Sequence, residues 1–363
     1  GNALVATATS TVDNTSEFST SVNTITSINP YVVTSPDTTG EGSLRWTINN
    51  ANMAGGNVAI SFDITSCYGT FCSIDLNAAL PSITTSGVTI NGYTQNGASV
   101  NTASYPSAFN GSINIIVDGT GAGSVDGLTI DGANNTTIKG LAINNFDGDG
   151  VLVTGSGTGN KIQGSYIGVW FDGTSDAGNT GSGVYVNLTS ETIIGSNGDG
   201  TGEAWERNLI AANDSYGVYV SGTTTSISGN FVGVTYEGSV ALGNTTGGIF
   251  INSSYAQIGT DNDGTDDTTE GNIISGNTGT GIYVTGTGAT ANTIAGNYIG
   301  VGQDGSLDLG NGTHGVWLLS SASDNTIGGV DNDTVNVIAY NGDAASEYGI
   351  YLSGADTDNN KIY

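Results

Sequence analysis

Gly183-Val184-Tyr185-Val186 returns as Gly217-Val218-Tyr219-Val220, Gly248-Ile249-Phe250-Ile251, Gly281-Ile282-Tyr283-Val284, Gly315-Val316-Trp317-Leu318 and Gly349-Ile350-Tyr351-Leu352, with Gly150-Val151-Leu152-Val153 leading the series. The central residues recur every 31 to 34 positions, a fixed period that marks a repeat architecture. Within each unit the two aliphatics face one way and the central residue the other, because strand side chains alternate. Stacked as parallel strands, the units give an aliphatic interior ladder. They also give an outer stripe of Tyr185, Tyr219, Phe250, Tyr283, Trp317 and Tyr351, spaced about 4.8 Å apart.

The surrounding text keeps the same beat. Ile162, Ile194, Ile227, Ile258, Ile294, Ile327 and Ile362 mark one further strand per unit. A second strand carries Ile167, Ile210, Val232, Ile274, Ile299 and Ile338, each after an outward apolar residue: Tyr166, Leu209, Phe231, Ile273, Tyr298 or Val337. The first strand instead turns out Lys161, Ser226, Gln257, Thr293, Thr326 and Lys361. Three outer faces follow, one polar, one apolar and one aromatic. Odd and even units differ in where they carry an excursion. The 168–179, 233–244 and 300–311 segments follow the second strand, and 195–207, 259–271 and 328–335 precede it, so both sets are expected to frame the second face. Asn208, Asn272 and Asn336, and Asn213, Asn277 and Asn341, recur with a 64-residue step, as stacked turn residues that hydrogen-bond along the axis.

Composition sets the class. Gly contributes 59 of 363 residues and Pro only 4, which suits tight turns between short β-branched strands. Five basic against 33 acidic residues give a net charge of −28. Nucleic acid, anionic membrane surfaces and anionic polysaccharides without bridging cations are therefore poor partners. The acidic surface reads either as cation binding or as solubility in a salty exterior. Cys67 and Cys72, in Cys-Tyr-Gly-Thr-Phe-Cys, read as a small structural disulfide, since a metal site would need further ligands and His314 is the lone histidine. That points to an oxidising compartment, extracellular or cell-surface. No transmembrane segment or signal peptide is visible. The chain offers ten Asn-x-Ser/Thr acceptors: Asn14, Asn110, Asn134, Asn135, Asn187, Asn213, Asn244, Asn252, Asn311 and Asn332.

Residues 1–30 are polar and aperiodic and read as an extension or arm. From residue 31 the pattern is structured, with regular coils from about residue 137. Between these, Ser43 caps a short helix whose Leu44, Ile48 and Ala51 share a face, suited to covering the open end of a stacked-strand core. The blocks Asn292-Thr293-Ile294-Ala295-Gly296-Asn297-Tyr298-Ile299-Gly300 and Asn336-Val337-Ile338-Ala339-Tyr340-Asn341 resemble right-handed parallel β-helix repeats of the pectate-lyase-like type. Gly42-Ser43-Leu44-Arg45, followed by Ala51-Asn52, resembles the N-terminal cap of large surface proteins that carry such repeats. The resemblance covers residues 31–363 and implies an all-β, single-stranded solenoid with an N-terminal capping helix. Members that cleave polysaccharide use a Ca²⁺-binding acidic cluster with an Arg or Lys base, or clustered Asp acids, on a strand face.

No strand here shows a compact Asp pair with a companion His or Lys, and no Ser/His/Asp order, zinc spacing or phosphate loop is present. The resulting expectation is a non-catalytic, self-assembling surface, adhesin or filament protein with the aromatic stripe as its interface. A carbohydrate-binding or polysaccharide-cleaving module is the alternative, because an aromatic row also stacks on sugar rings. His314 reads as a turn residue. Asp261, Asp263, Asp266, Asp267 and Glu270 offer hard oxygens for a structural Ca²⁺, and no cofactor is required.

Overall fold

The computed structural model describes residues 28–363, so nearly all of the expected N-terminal arm, Asn14 included, lies outside the described residues. The chain is a parallel β-helix. Three sheets of eleven, nine and eight strands run along it, and in each the neighbouring strands are parallel and come from successive coils. Register follows the repeat: Tyr185 pairs with Tyr219, Phe250 with Tyr283, and Trp317 with Tyr351. The inward Ile162, Ile194, Ile227, Ile258 and Ile294 of the first sheet, the Ile167-to-Ile299 series of the second, and the Val and Ile pairs of the third are buried in one continuous core. At the N-terminal end lies an eleven-residue helix, Leu44–Ala54, capped by the Ser43 side chain, which accepts from the Trp46 amide at 3.2 Å. Leu44, Ile48 and Ala51 are its buried face and close that end of the core. Arg45 fastens the helix by donating to the carbonyls of Thr38, Ala78 and Ala79.

Polar ladders hold the corners. Before the second sheet run Asn208, Asn230, Asn272, Asn297 and Asn336; after it run Asn179, Asn213, Asn244, Asn277, Asn311 and Asn341. From the second member of each ladder on, the side-chain oxygen accepts both the backbone N–H and the amide N–H of the Asn one coil earlier, as Asn277 does from Asn244 at 3.2 and 2.9 Å. The remaining amide hydrogen goes to a carbonyl at the end of an inner strand, such as Val232 for Asn277 at 3.2 Å. All six residues of the second ladder are buried, so three acceptor sequons (Asn213, Asn244 and Asn311) present no free amide in the folded chain. Their place in the ladder corrects that part of the glycosylation expectation. The corner before the first sheet is less complete. Asn292, Asn325 and Asn360 form a ladder there, but Thr136, Thr192, Thr225 and Ala256 take the same corner in other coils. Thr136 and Thr225 accordingly bury hydroxyls without a partner.

The outward residues of the second sheet form a separate apolar cluster with Phe109, Ile113, Val169 and the partly exposed Trp170, Phe171 and Tyr236. Residues 95–114, which the repeat pattern does not announce, fold over this face. Arg207 is the staple. Its guanidinium is 1 % exposed, donates to the carbonyls of Ala103, Ser107 and Gly229 at 2.8–3.1 Å, and lies 4.6 and 4.7 Å from the Phe109 and Phe231 rings. The odd-coil excursions cover the second sheet as expected. The even-coil ones stand at the corner between two sheets: Ala204 and Arg207 hold the 95–114 cover of the second sheet, while Glu270 and Asp261 line a cleft with Ser226 and Gln257 on the polar face of the first.

Asn277→Ala should lower the unfolding free energy by about 3–5 kcal/mol, because it strands two buried donors of Asn244 at roughly 1–3 kcal/mol each. Thr225→Val, which removes a hydroxyl already without a partner, should be neutral or stabilising. Thermal unfolding of the two variants side by side checks the pair.

Candidate functional site

The aromatic ladder stands on the outer face of the third sheet because the parallel register puts one large side chain per coil at the same position. Ring centroids are separated by 4.8 Å for Tyr185–Tyr219, 4.3 Å for Tyr219–Phe250, 5.5 Å for Phe250–Tyr283, 5.0 Å for Tyr283–Trp317 and 5.8 Å for Trp317–Tyr351. The planes turn between 20° and 75° from one ring to the next, so the strip is corrugated rather than a flat stack. All six rings are partly exposed. Tyr216 packs beside Tyr219 and Phe250, and His314 and Tyr348 widen the far end against Tyr351. Sequence reading places His314 in a turn; the structure adds that it belongs to the ladder's edge. Its Nδ1 accepts from the Tyr348 amide at 3.0 Å, and burial holds it below the usual imidazole value against the opposing pull of Glu347. Among the described residues the hydroxyls of Tyr185, Tyr219, Tyr283 and Tyr351 have no hydrogen-bond partner, while the Trp317 indole donates to Ser353 at 3.0 Å.

The first sheet carries a second surface. Lys139 and Gln163 are register partners on it, with Lys161 two residues along the same strand as Gln163. Beside them the 195–207 excursion ends in a short helical turn, Glu203–Glu206. Lys139 places its ammonium 4.5 Å over the Trp205 ring, and burial lowers its pKa. Glu206 accepts from the Asn197 amide at 3.0 Å; 64 residues on, Glu270 accepts from the Asp261 amide at 3.1 Å. Each carboxylate thus closes its own excursion. The two excursions stack, for a Cβ on Gly198 would lie 2.2 Å from the Glu270 carboxylate. Between them is a cleft of about 160 Å³ lined by Asn197, Ser226, Ser228, Gln257, Asp261 and Glu270. Desolvation is the main cause that lifts Glu206 and Glu270 from the ordinary 4.5 to about 7.

Of the five expected metal ligands, Asp261, Asp263 and Asp267 bring oxygens within 4.8 Å of one another; Asp266 and Glu270 stand outside that group. All three already accept backbone N–H groups, from Asp263, Thr265 and Gly264 respectively, so the loop's turns account for their placement. Cys67 and Cys72 are disulfide-bonded, with Cα atoms 5.3 Å apart. Of the remaining acceptor sequons, Asn110, Asn135, Asn252 and Asn332 are exposed and Asn134 and Asn187 partly so. No helix among the described residues is long and apolar enough to cross a membrane.

No family model matches the chain, and no curated protein matches it. Solved structures share the fold. The chain is similar to the Dettilon tailspike protein gp208 (14 % identity, 86 % of this chain and 65 % of that one, TM-score 0.31). It is also similar to the DFA-IIIase of Arthrobacter chlorophenolicus A6 (14 %, 86 % and 68 %, TM-score 0.29). A third is the A-module of the mannuronan C-5 epimerase AlgE4 of Azotobacter vinelandii (12 %, 91 % and 99 %, TM-score 0.24). The chain spans about two thirds of the first two. At these identities the likeness shows the fold alone. The expectation of a non-enzyme does not stand, since two of these β-helices are enzymes and the fold therefore does not exclude catalysis. The physical reason is that a solenoid gathers a site from different coils. Lys139, Lys161 and Glu206 share one face here while lying far apart in sequence, and a search for compact motifs passes over such a set.

Glu206 and Glu270 each hold a folded-state pKa of about 7 against about 4.5 when unfolded. The folded chain therefore binds more protons between those values, and stability falls as pH rises from about 4.5 through about 7. The melting temperature should drop over that window. Glu206→Gln with Glu270→Gln, which keeps an acceptor for each backbone amide, should flatten the profile and raise the melting temperature at pH 8.

Proposed function

We propose that the protein is a carbohydrate-interacting β-helix whose aromatic ladder is the binding strip. The observation that carries this reading is the ladder itself: six partly exposed rings on consecutive coils, four of them tyrosines whose hydroxyls are unpaired among the described residues. Aromatic faces supply apolar contact with the C–H faces of pyranose rings, and hydroxyls supply hydrogen bonds at the rim, the combination that small polar ligands with apolar faces need. An apolar strip of this length marks an interaction surface rather than bare exterior. The net charge of −28 favours neutral over anionic glycans. The disulfide and the acidic surface support an extracellular or cell-surface setting.

Self-assembly through the same strip is the competing use, and one experiment separates the two. Tyr219→Ser, Tyr283→Ser and Trp317→Ser are combined, and circular dichroism confirms the fold. On a glycan array the wild-type chain should bind neutral glycans and the triple variant should lose at least tenfold. Unchanged glycan binding, with loss of assemblies seen by electron microscopy, would instead assign the strip to self-association. Each array is run with and without Ca²⁺, whose ligand chemistry the Asp261, Asp263 and Asp267 carboxylates share. Bound glycans are also followed for cleavage. Turnover lost on Lys161→Ala with binding retained would put chemistry in the first-sheet groove.

A further inference from the structure

On the outer face of the second sheet, the cover is incomplete. A pocket of about 390 Å³ opens between the 109–114 segment and the odd-coil excursions. Its walls are Phe109, Phe171 and Tyr236, with Tyr166 of the second sheet among them and Asn114 and Asp172 supplying polar groups. The walls are fixed before any ligand arrives. The Phe109 amide donates to the Tyr236 carbonyl at 3.0 Å, and the Tyr236 amide donates to the Gly173 carbonyl at 3.0 Å. Phe109 is locked edge-on to Tyr166 and Phe231, and Phe171 stacks on Phe71 at 4.3 Å. Behind them sits the buried Arg207 guanidinium, 4.6 Å from Phe109.

Tyr166 is the telling residue. It is only 6 % exposed, yet among the described residues its hydroxyl makes no hydrogen bond. The ring is packed away, but the hydroxyl itself is not enclosed: it stays open at the pocket that Tyr166 lines, where a ligand can take it as a hydrogen-bond partner. By contrast, the Asp172 carboxylate already accepts from the Thr174 and Ser175 amides at 2.8 and 2.9 Å and from the Ser175 hydroxyl at 2.7 Å. These bonds hold it ionised, its pKa below the ordinary range although partial burial opposes them. A fixed negative charge at the rim of a chain with net charge −28 disfavours anions. A cavity of this volume falls in the range of small-ligand sites, large enough for one or two sugar rings.

We infer that this pocket is a second binding site, for the end of a neutral oligosaccharide, seated between the Phe171 and Tyr236 rings and hydrogen-bonded by the Tyr166 hydroxyl. The place and the polar anchor come from the pocket itself; the ligand class rests on the carbohydrate reading of the ladder. The site differs from the ladder in kind. It is concave and takes a terminus, whereas the ladder is an open strip.

The test uses the full chain and isothermal titration with maltotriose, cellotriose and N-acetylated chitotriose. At least one should bind the wild type. Tyr166→Phe should weaken it about tenfold, the loss of one hydrogen bond, and Phe171→Ala with Tyr236→Ala should abolish it. Melting curves confirm that each variant folds, and Phe171 and Tyr236 are partly exposed, so their truncation leaves the core intact. The triple ladder variant should keep this binding. Trisaccharide affinity unchanged in both pocket variants, or no binding of any trisaccharide by the wild type, overturns the pocket. Loss of all binding in the ladder variant alone overturns it too and leaves the ladder reading standing. Binding lost only in the pocket variants upholds the pocket whatever becomes of the ladder.

Discussion

Everything in this molecule depends on neighbouring coils staying in register, and the buried asparagine ladders are what impose it. Coil length varies between 31 and 36 residues along the regular part, yet the corners repeat coil after coil. An Asn side-chain oxygen that accepts two N–H groups from the coil before it, while its own amide feeds a strand-end carbonyl, tolerates no slip. Aliphatic packing alone is less strict, because Ile and Val interchange along the core at small cost. The variable lengths can then be absorbed in excursions that leave the coil and return to the same corner. That freedom is what allows excursions of different character to rise beside different sheets.

The second constraint is charge. With 33 acidic residues, the fold cannot rely on ion pairing, and it uses its few cations elsewhere. Arg45 and Arg207 hold backbone carbonyls, the former tying the cap to the first coils and the latter tying the 95–114 cover to the second sheet. Burial pulls the Arg207 guanidinium down to about 10, still far above neutrality, and the Phe109 and Phe231 faces compensate part of the lost hydration. The carboxylates are managed by the same means with the sign reversed: Glu203, Glu206 and Glu270 accept backbone N–H groups within their own excursions. Backbone dipoles thus stand in for counter-ions on both sides.

How much of this was legible in the sequence follows from which forces are local. The strand repeat, the inside and outside of each strand, the capping face of Leu44, Ile48 and Ala51 and the aromatic ladder were all readable, because a two-residue alternation and a 33-residue beat fix them. The Asn series was readable as turns, but burial turned three sequon asparagines into structural donors, which composition cannot reveal. Arg207 was missed as a core residue, since an Arg in a polar excursion ordinarily reaches solvent; the aromatics that receive it, Phe109 and Phe231, are set by a cover that no periodicity announces. That the even-coil excursions border the first sheet as well as the second was not readable, because their points of departure and return do not show the direction in which they lean. Among the acidic residues, spacing brought Asp261, Asp263 and Asp267 together, while Glu270 was drawn away to close its loop.

The same geometry explains why the absence of a motif said nothing about activity. In a fold that grows along one axis, side chains that share a site come from positions one or two coils apart, and each coil can contribute a single residue at a given height. Tyr166, Phe171 and Tyr236 meet around one pocket across two odd coils, and Phe109 joins them from a cover laid down before the regular coils begin. Lys139 and Lys161 share the first-sheet face with Trp205 and Glu206 in the same manner. Ligand recognition on such a scaffold is therefore written in columns rather than in rows. A solenoid gathers its recognition surfaces down each outer face, and the open aromatic strip and the concave pocket are two such columns.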